Sequence, residues 1–164
     1  MMDETTRPGP FKSAHHISLV VRDLDRTVAF YESIGIGPWH DYPPMSDYVA
    51  VEMPDPEAFR AVRVKWVQLG PIALQIMEPG PGDSIQRRVL ESRGEGLFHI
   101  SFEVDDIEAA EAQAKAMGLD VVMKGRRADG TGFSHFDTAG QGAAMLSARQ
   151  TPGAKDGGGH GGDR

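Results

Sequence analysis

The chain has no cysteine among its 164 residues. Disulfides and thiolate chemistry are thereby excluded, and any metal site has to be built from histidine, carboxylate or amide ligands. An excess of positive charge is also missing: 17 Lys and Arg stand against 24 Asp and Glu, a formal net charge of −7. That balance argues against a general binder of nucleic acid or of anionic membrane surfaces. No apolar run approaches the roughly 20 residues of a membrane span. The opening Met1-Met2-Asp3-Glu4-Thr5-Thr6 has no apolar core of the signal-peptide kind, so the expected location is cytoplasmic. Hydrophobic content of 40% and charged content of 25% are ordinary for a globular chain, long enough for one substantial domain or two small units sharing a core.

What is there is a duplication. His16-Ile17-Ser18 returns as His99-Ile100-Ser101, Asp23-Leu24 as Asp106-Ile107, and Gly35 as Gly118, all at one offset of 83 residues. Each copy reads as a strand bearing a histidine, then a capped helix ending at glycine. Asp23 and Asp106 suit helix N-caps, because a carboxylate can accept from unpaired backbone N–H groups. Leu24, Val28, Tyr31 and Ile34 mark one helical stripe, and Ile107, Ala110, Ala114 and Met117 the other.

Taken in order, residues 1–12 read as a flexible arm and 13–79 as a first module. A loop with Trp39, His40 and Tyr42 follows its helix, and then strands over Tyr48–Met53, Ala61–Leu69 and Pro71–Met77. Pro54-Asp55-Pro56-Glu57 reads as a break. Residues 80–94 read as a linker with a short helix around Ile85–Glu91. The second module, 95–150, adds strands near Leu119–Lys124, Thr131–Asp137 and Ala143–Arg149. From Thr151 to Arg164 the composition turns to Gly, Asp and Lys, and a disordered tail is expected there, His160 included. The expected fold class is α+β, two tandem βαβββ modules forming a metal-binding cleft.

In such a cleft His16 and His99 occupy equivalent positions, and a pseudo-twofold axis would bring the two imidazoles face to face. His15 is expected on the opposite face, since side chains alternate along a strand. Gln75 is a polar residue inside Ile72-Ala73-Leu74-Gln75-Ile76-Met77, where its amide either binds a cation or makes a cross-strand hydrogen bond. Acid/base candidates near the mouth are His40, Asp47, Glu57 and His135. Trp39, Trp66, Phe136 and Met145 are expected to line an apolar pocket.

Further matches run through Gly35-Ile36-Gly37-Pro38 and Gln75-Ile76-Met77-Glu78-Pro79. The most specific is Asp83-Ser84-Ile85 continuing through Leu90-Glu91-Ser92-Arg93-Gly94-Glu95-Gly96-Leu97-Phe98-His99-Ile100. On these residues the chain resembles the vicinal oxygen chelate (glyoxalase/bleomycin resistance) superfamily, and within it the methylmalonyl-CoA epimerase-like branch, over residues 13–149. The resemblance implies a divalent metal ion (Zn, Co, Ni, Mn or Fe) on His16, Gln75 and His99. The usual fourth ligand, a Glu on the last strand, aligns on Leu146, and Ala144-Met145-Leu146-Ser147 holds no carboxylate. The second Glu of the epimerases aligns on Phe59 or Arg60 rather than Glu57. The function this implies is a metal-dependent isomerase or lyase acting on a small carbonyl or acyl substrate through a metal-stabilised enolate. The alternative is a non-catalytic protein that sequesters a small molecule. A ring-cleaving dioxygenase is disfavoured by an amide at Gln75. A homodimer is expected by analogy, with no nucleic-acid or membrane partner.

Overall fold

The computed structural model describes residues 8–153. The first half runs β1 (Ser13–Val20), α1 (Leu24–Ser33), β2 (His40–Asp41), β3 (Tyr48–Glu52), α2 (Pro56–Arg60), β4 (Arg63–Leu69) and β5 (Ile72–Glu78). Then α3 (Ile85–Arg93) leads to the second half: β6 (Gly96–Glu103), α4 (Ile107–Ala116), β7 (Val121–Arg127), β8 (Gly132–Phe136), α5 (Ala139–Gly142) and β9 (Met145–Gln150). The strands form one 9-stranded sheet in the order β2-β4-β5-β1-β6-β9-β8-β7-β3. This is the expected mixed α+β architecture.

The duplication is visible in the register. At the centre β1 and β6 run antiparallel, with His16 opposite Ser101, Ile17 opposite Ile100 and Ser18 opposite His99. A pseudo-twofold therefore passes through the Ile17–Ile100 pair. On the flanks β5 runs parallel to β1 and β9 parallel to β6, so that Gln75 lies beside Ser18 and Ser147 beside Ser101. The helices cover one face. Leu24 and Val28 pack on Val21 and Ile76, while Ile107, Ala110 and Ala114 pack on Phe136 and Ala148. Asp23 caps α1 by accepting from Arg26 N, and Asp106 caps α4 by accepting from Glu108 N and Ala109 N. After the helices Gly35 and Gly118 take φ 90° and 86°, a conformation that favours glycine.

The structure departs from the sequence expectation at several points. β3 is a strand, but it pairs with β7 at the far edge of the second half and does not join its own half. The neighbour of β4 at the sheet edge is the two-residue β2, where a loop is expected. The chain between β2 and β3 crosses the open face, and Tyr42 and Met45 on it pack against the core of each half. Pro54–Glu57 is not a simple break. Pro56 sits in the first turn of α2, where its missing N–H costs nothing, and Asp55 caps the helix by accepting from Ala58 N. The linker contributes to the core through buried Leu90 on α3. The expected arm is anchored at its end, where the Phe11 ring meets Phe102 and Phe136 edge-on at 5.4 and 5.8 Å. Residues 1–7 and the tail from residue 154, with His160, lie outside the described residues.

Candidate metal centre

The face of the sheet away from α1 and α4 encloses a cavity of ≈ 460 Å³ counted out to its mouth. His16, Gln75 and His99 all line it and all are buried. Alternation along the strands puts them there, since His16, Ser18, His99 and Ser101 are two residues apart on paired strands and share a face. His16 Nε2 and His99 Nε2 lie 2.7 Å apart, within hydrogen-bonding distance of each other. Ser18, cross-strand from both Gln75 and His99, has a buried hydroxyl with no hydrogen-bond partner among the described residues.

Two more histidines back this pair. His135 Nε2 lies 3.2 Å from His99 Nδ1, and His135 Nδ1 lies 3.4 Å from Ser147 Oγ. On the other side His15 Nδ1 lies 2.8 Å from His16 Nδ1. His15 is therefore not turned away from its neighbour. The β1–β6 register shifts between Ala14 and His16, and this irregularity breaks the alternation on which the opposite-face expectation rested. Both inner histidines thus have Nδ1 occupied by an imidazole and Nε2 set against the other's Nε2.

Burial is the main reason these rings are neutral. It lowers His135 to about 3 and, with the nearby Arg149 guanidinium, His15 to about 4. His16 and His99 are held well below the usual histidine range, first by burial and then by the charges of Arg149 and of neighbouring imidazoles. Neutral imidazole is the form that binds metal. No group of three or more His, Cys, Asp and Glu able to hold a metal ion exists among the described residues. The donor set still fits a cation, with two convergent Nε2 atoms, the Gln75 amide and an orphaned hydroxyl beside them. All of these are neutral.

Of the acid/base candidates from the sequence, His135 reaches the cavity and His40, Asp47 and Glu57 do not. His40 is exposed on β2, its ring tilted over Trp66 with centroids 4.9 Å apart. Glu57 is exposed on α2 and pairs with Arg60 at 2.8 Å, and Asp47 is exposed in a single 3₁₀ turn. Trp39, Trp66, Phe136 and Met145 do not line the cavity. Phe136, for one, points to the α4 side of the sheet. The apolar wall is made instead by Met45, Phe59, Met77, Met123 and Phe133. The partner of Gln75 across the pseudo-twofold is also corrected, because the register sets Ser147, not Leu146, at that position. Sequence reasoning missed Gln86, from the linker helix, and Arg149, both of which line the cavity. The polar Arg149 two residues beyond Ser147 on a half-buried strand was a readable signal; Gln86 became a lining residue only through the docking of α3.

The glyoxalase/bleomycin resistance protein/dioxygenase superfamily model matches residues 15–135. The chain belongs to this superfamily. Human mitochondrial methylmalonyl-CoA epimerase is 31% identical over 97 residues, 58% of this chain and 48% of the human protein. The match thus spans about half the length of that curated relative. Among solved structures, methylmalonyl-CoA epimerase from Mycobacterium tuberculosis is similar with a TM-score of 0.66 at 16% identity, covering 88% of this chain and 91% of that one. A Streptomyces coelicolor methylmalonyl-CoA epimerase variant in complex with 2-nitronate-propionyl-CoA gives a TM-score of 0.68 at 22% identity, covering 88% and 98%. At such identities the superfamily fold is shared. No helix among the described residues is long and apolar enough to cross a membrane.

Proposed function

We propose that the chain is a metal-dependent isomerase or lyase of this superfamily that removes a proton alpha to the carbonyl of a small acyl or carbonyl compound. The observation that carries the reading is the meeting of His16 Nε2 and His99 Nε2 at 2.7 Å, with Gln75 in the lining of the same cleft. These three residues would hold a divalent cation. When bound, it supplies Lewis-acid polarisation of the substrate carbonyl. The protein does the rest. His135 fixes the orientation of His99 through Nδ1, as outer partners of ligand histidines do. With His99 a ligand through Nε2, its Nδ1–H donates to His135 Nε2, so His135 carries its own proton on Nδ1 and donates it to the Ser147 hydroxyl. No carboxylate lines the cavity among the described residues. The site therefore lacks the pair of opposed carboxylates that an inversion would use. The apolar side of the cleft is made by Met45, Phe59 and Phe133. An acyl-CoA thioester, the class of ligand bound in similar epimerase structures, is the substrate class to try first. A cytoplasmic homodimer is part of the same proposal, and sedimentation checks the dimer.

The test is deuterium exchange. In D₂O, acyl thioesters should incorporate deuterium alpha to the carbonyl with wild-type protein, and not with chelator-treated protein or with His99→Ala. Metal content unchanged by His99→Ala, together with no exchange in any thioester, would sink the idea. The lack of a carboxylate also supports a second reading, in which the cavity sequesters a small molecule without turning it over. That reading expects tight ligand binding with no exchange.

A further inference from the structure

Arg149 is the one charged side chain among the residues that line the cavity. It stands on β9 two residues past Ser147, on the same face, opposite Phe133 of β8 and Glu103 of β6. Its side chain is 13% exposed, yet it is poorly partnered. Nε is buried without a hydrogen bond among the described residues. Its one carboxylate neighbour, Glu103 Oε2, lies 3.6 Å from Nε, too far for a good bond. Both Glu103 oxygens are already taken, Oε1 accepting from Thr151 N and Oε2 from Thr151 Oγ1, each at 2.9 Å.

A guanidinium has five donors in a planar fork that matches a carboxylate. Burying one with its donors unmet is costly unless something completes the set. Glu103 at 3.6 Å is the charge beside it, and among the described residues Nε is the guanidinium nitrogen left buried without a hydrogen bond. The lining near it is His16, Tyr48 and Phe133, and no Asp or Glu faces the cavity among the described residues. The same position in the first half is Met77, because Val20 faces Met77 as Glu103 faces Arg149. The positive end of the cavity thus exists on one side of the pseudo-twofold only.

We propose that Arg149 is the anion anchor of this cavity, binding a carboxylate of the ligand by its guanidinium fork while the rest of the ligand lies toward His16, His99 and the Met77 wall. The ligand class is a small acid, or an acyl compound that keeps a free carboxylate. This requires only that the cavity is where ligand binds, which both functional readings share, and it holds with or without turnover.

The experiment uses succinate and its neutral diamide, succinamide, as probes, with NMR detection of the arginine Nε–H resonances of ¹⁵N-labelled full-length protein. It is run on metal-loaded and on chelator-treated samples. Succinate at millimolar concentration should move the Arg149 Nε–H resonance, identified by its absence in Arg149→Met. It should bind at least about tenfold more tightly than succinamide. Arg149→Met should abolish that preference, and Arg149→Lys should keep part of it. Glu103→Gln, which removes the competing charge and keeps an oxygen for Thr151, should raise succinate affinity several-fold. That variant decides the matter if Arg149→Met does not fold. Equal binding of the two probes, no succinate-dependent shift, or unchanged affinity in Glu103→Gln overturns the proposal. So does succinate binding that survives Arg149→Met and disappears on chelation, since the cation would then be the anchor. Arg149-dependent binding in chelated protein with no deuterium exchange supports it while the catalytic reading fails.

Discussion

The two halves of the cavity wall are built on one plan and finished differently. Each central strand supplies one inward histidine, His16 or His99, and each flanking parallel strand supplies the residue beside it, Gln75 or Ser147. Beyond that the likeness ends. Opposite Gln75 on β4 stands Trp66, and opposite Ser147 on β8 stands His135. Next along come Met77 in the first half and Arg149 in the second. The first half gives an amide and an apolar surface; the second gives a hydroxyl, a third imidazole and a buried cation. Duplication secures the two convergent ring nitrogens, because a twofold maps one onto the other. Direction comes from divergence, since a substrate with distinct ends needs a site with distinct ends.

The largest expected effect tests the shared part. His16→Ala and His99→Ala should each abolish metal retention through gel filtration, as read by elemental analysis, and to the same extent. A large difference between them would break the functional equivalence of the halves. The unshared part comes next. His135→Phe should weaken metal affinity by roughly 10–100-fold, the usual cost of losing an outer partner of a ligand histidine. Trp66→Phe, its counterpart, should leave calorimetric metal affinity unchanged.

A smaller effect concerns pH. The folded-state pKa values of His16, His99 and His135 lie below the ordinary 6.5, with His135 at about 3. Below pH 6.5 the unfolded chain therefore binds more protons than the folded one, and stability falls as pH falls. In metal-free protein the urea midpoint should drop between pH 6.5 and 4, with a slope on the order of 1 kcal/mol per pH unit for a single buried histidine. His135→Phe should flatten that slope. Stability that stays level or rises over this range contradicts the neutral buried state of these rings. The smallest effects belong to His40→Ala and Glu57→Ala, which should change stability by less than about 0.5 kcal/mol and metal binding not at all. A loss of metal in either would bring the mouth of the first half back into the site.

Much of this was legible in the chain. The repeat placed His16 and His99 on equivalent strands, because local periodicity and a twofold suffice for that; Gln75 stood out only as a polar residue in an apolar strand, and the family resemblance put it with them. Fine placement was not. A one-residue error in aligning the last strand changes which face a side chain takes, so Leu146 stood where the register sets Ser147. A bulge at His15 defeats simple alternation. Glu57 lies two residues from the cavity-lining Phe59, and His40 is cross-strand from Trp66, yet both are exposed and outside the cavity.

The sequence by itself determined the two-module plan, the capped helices, the paired histidines and the lack of a carboxylate on the last strand. These follow from residue type and short-range spacing. Only the tertiary structure decided that β3 joins the other half and that α3 puts Gln86 in the wall. It alone decided that His135 backs His99 and that Arg149 sits buried without adequate partners. These depend on contacts between segments far apart in the chain, where packing and hydrogen-bond satisfaction choose the outcome and local pattern carries no record of it.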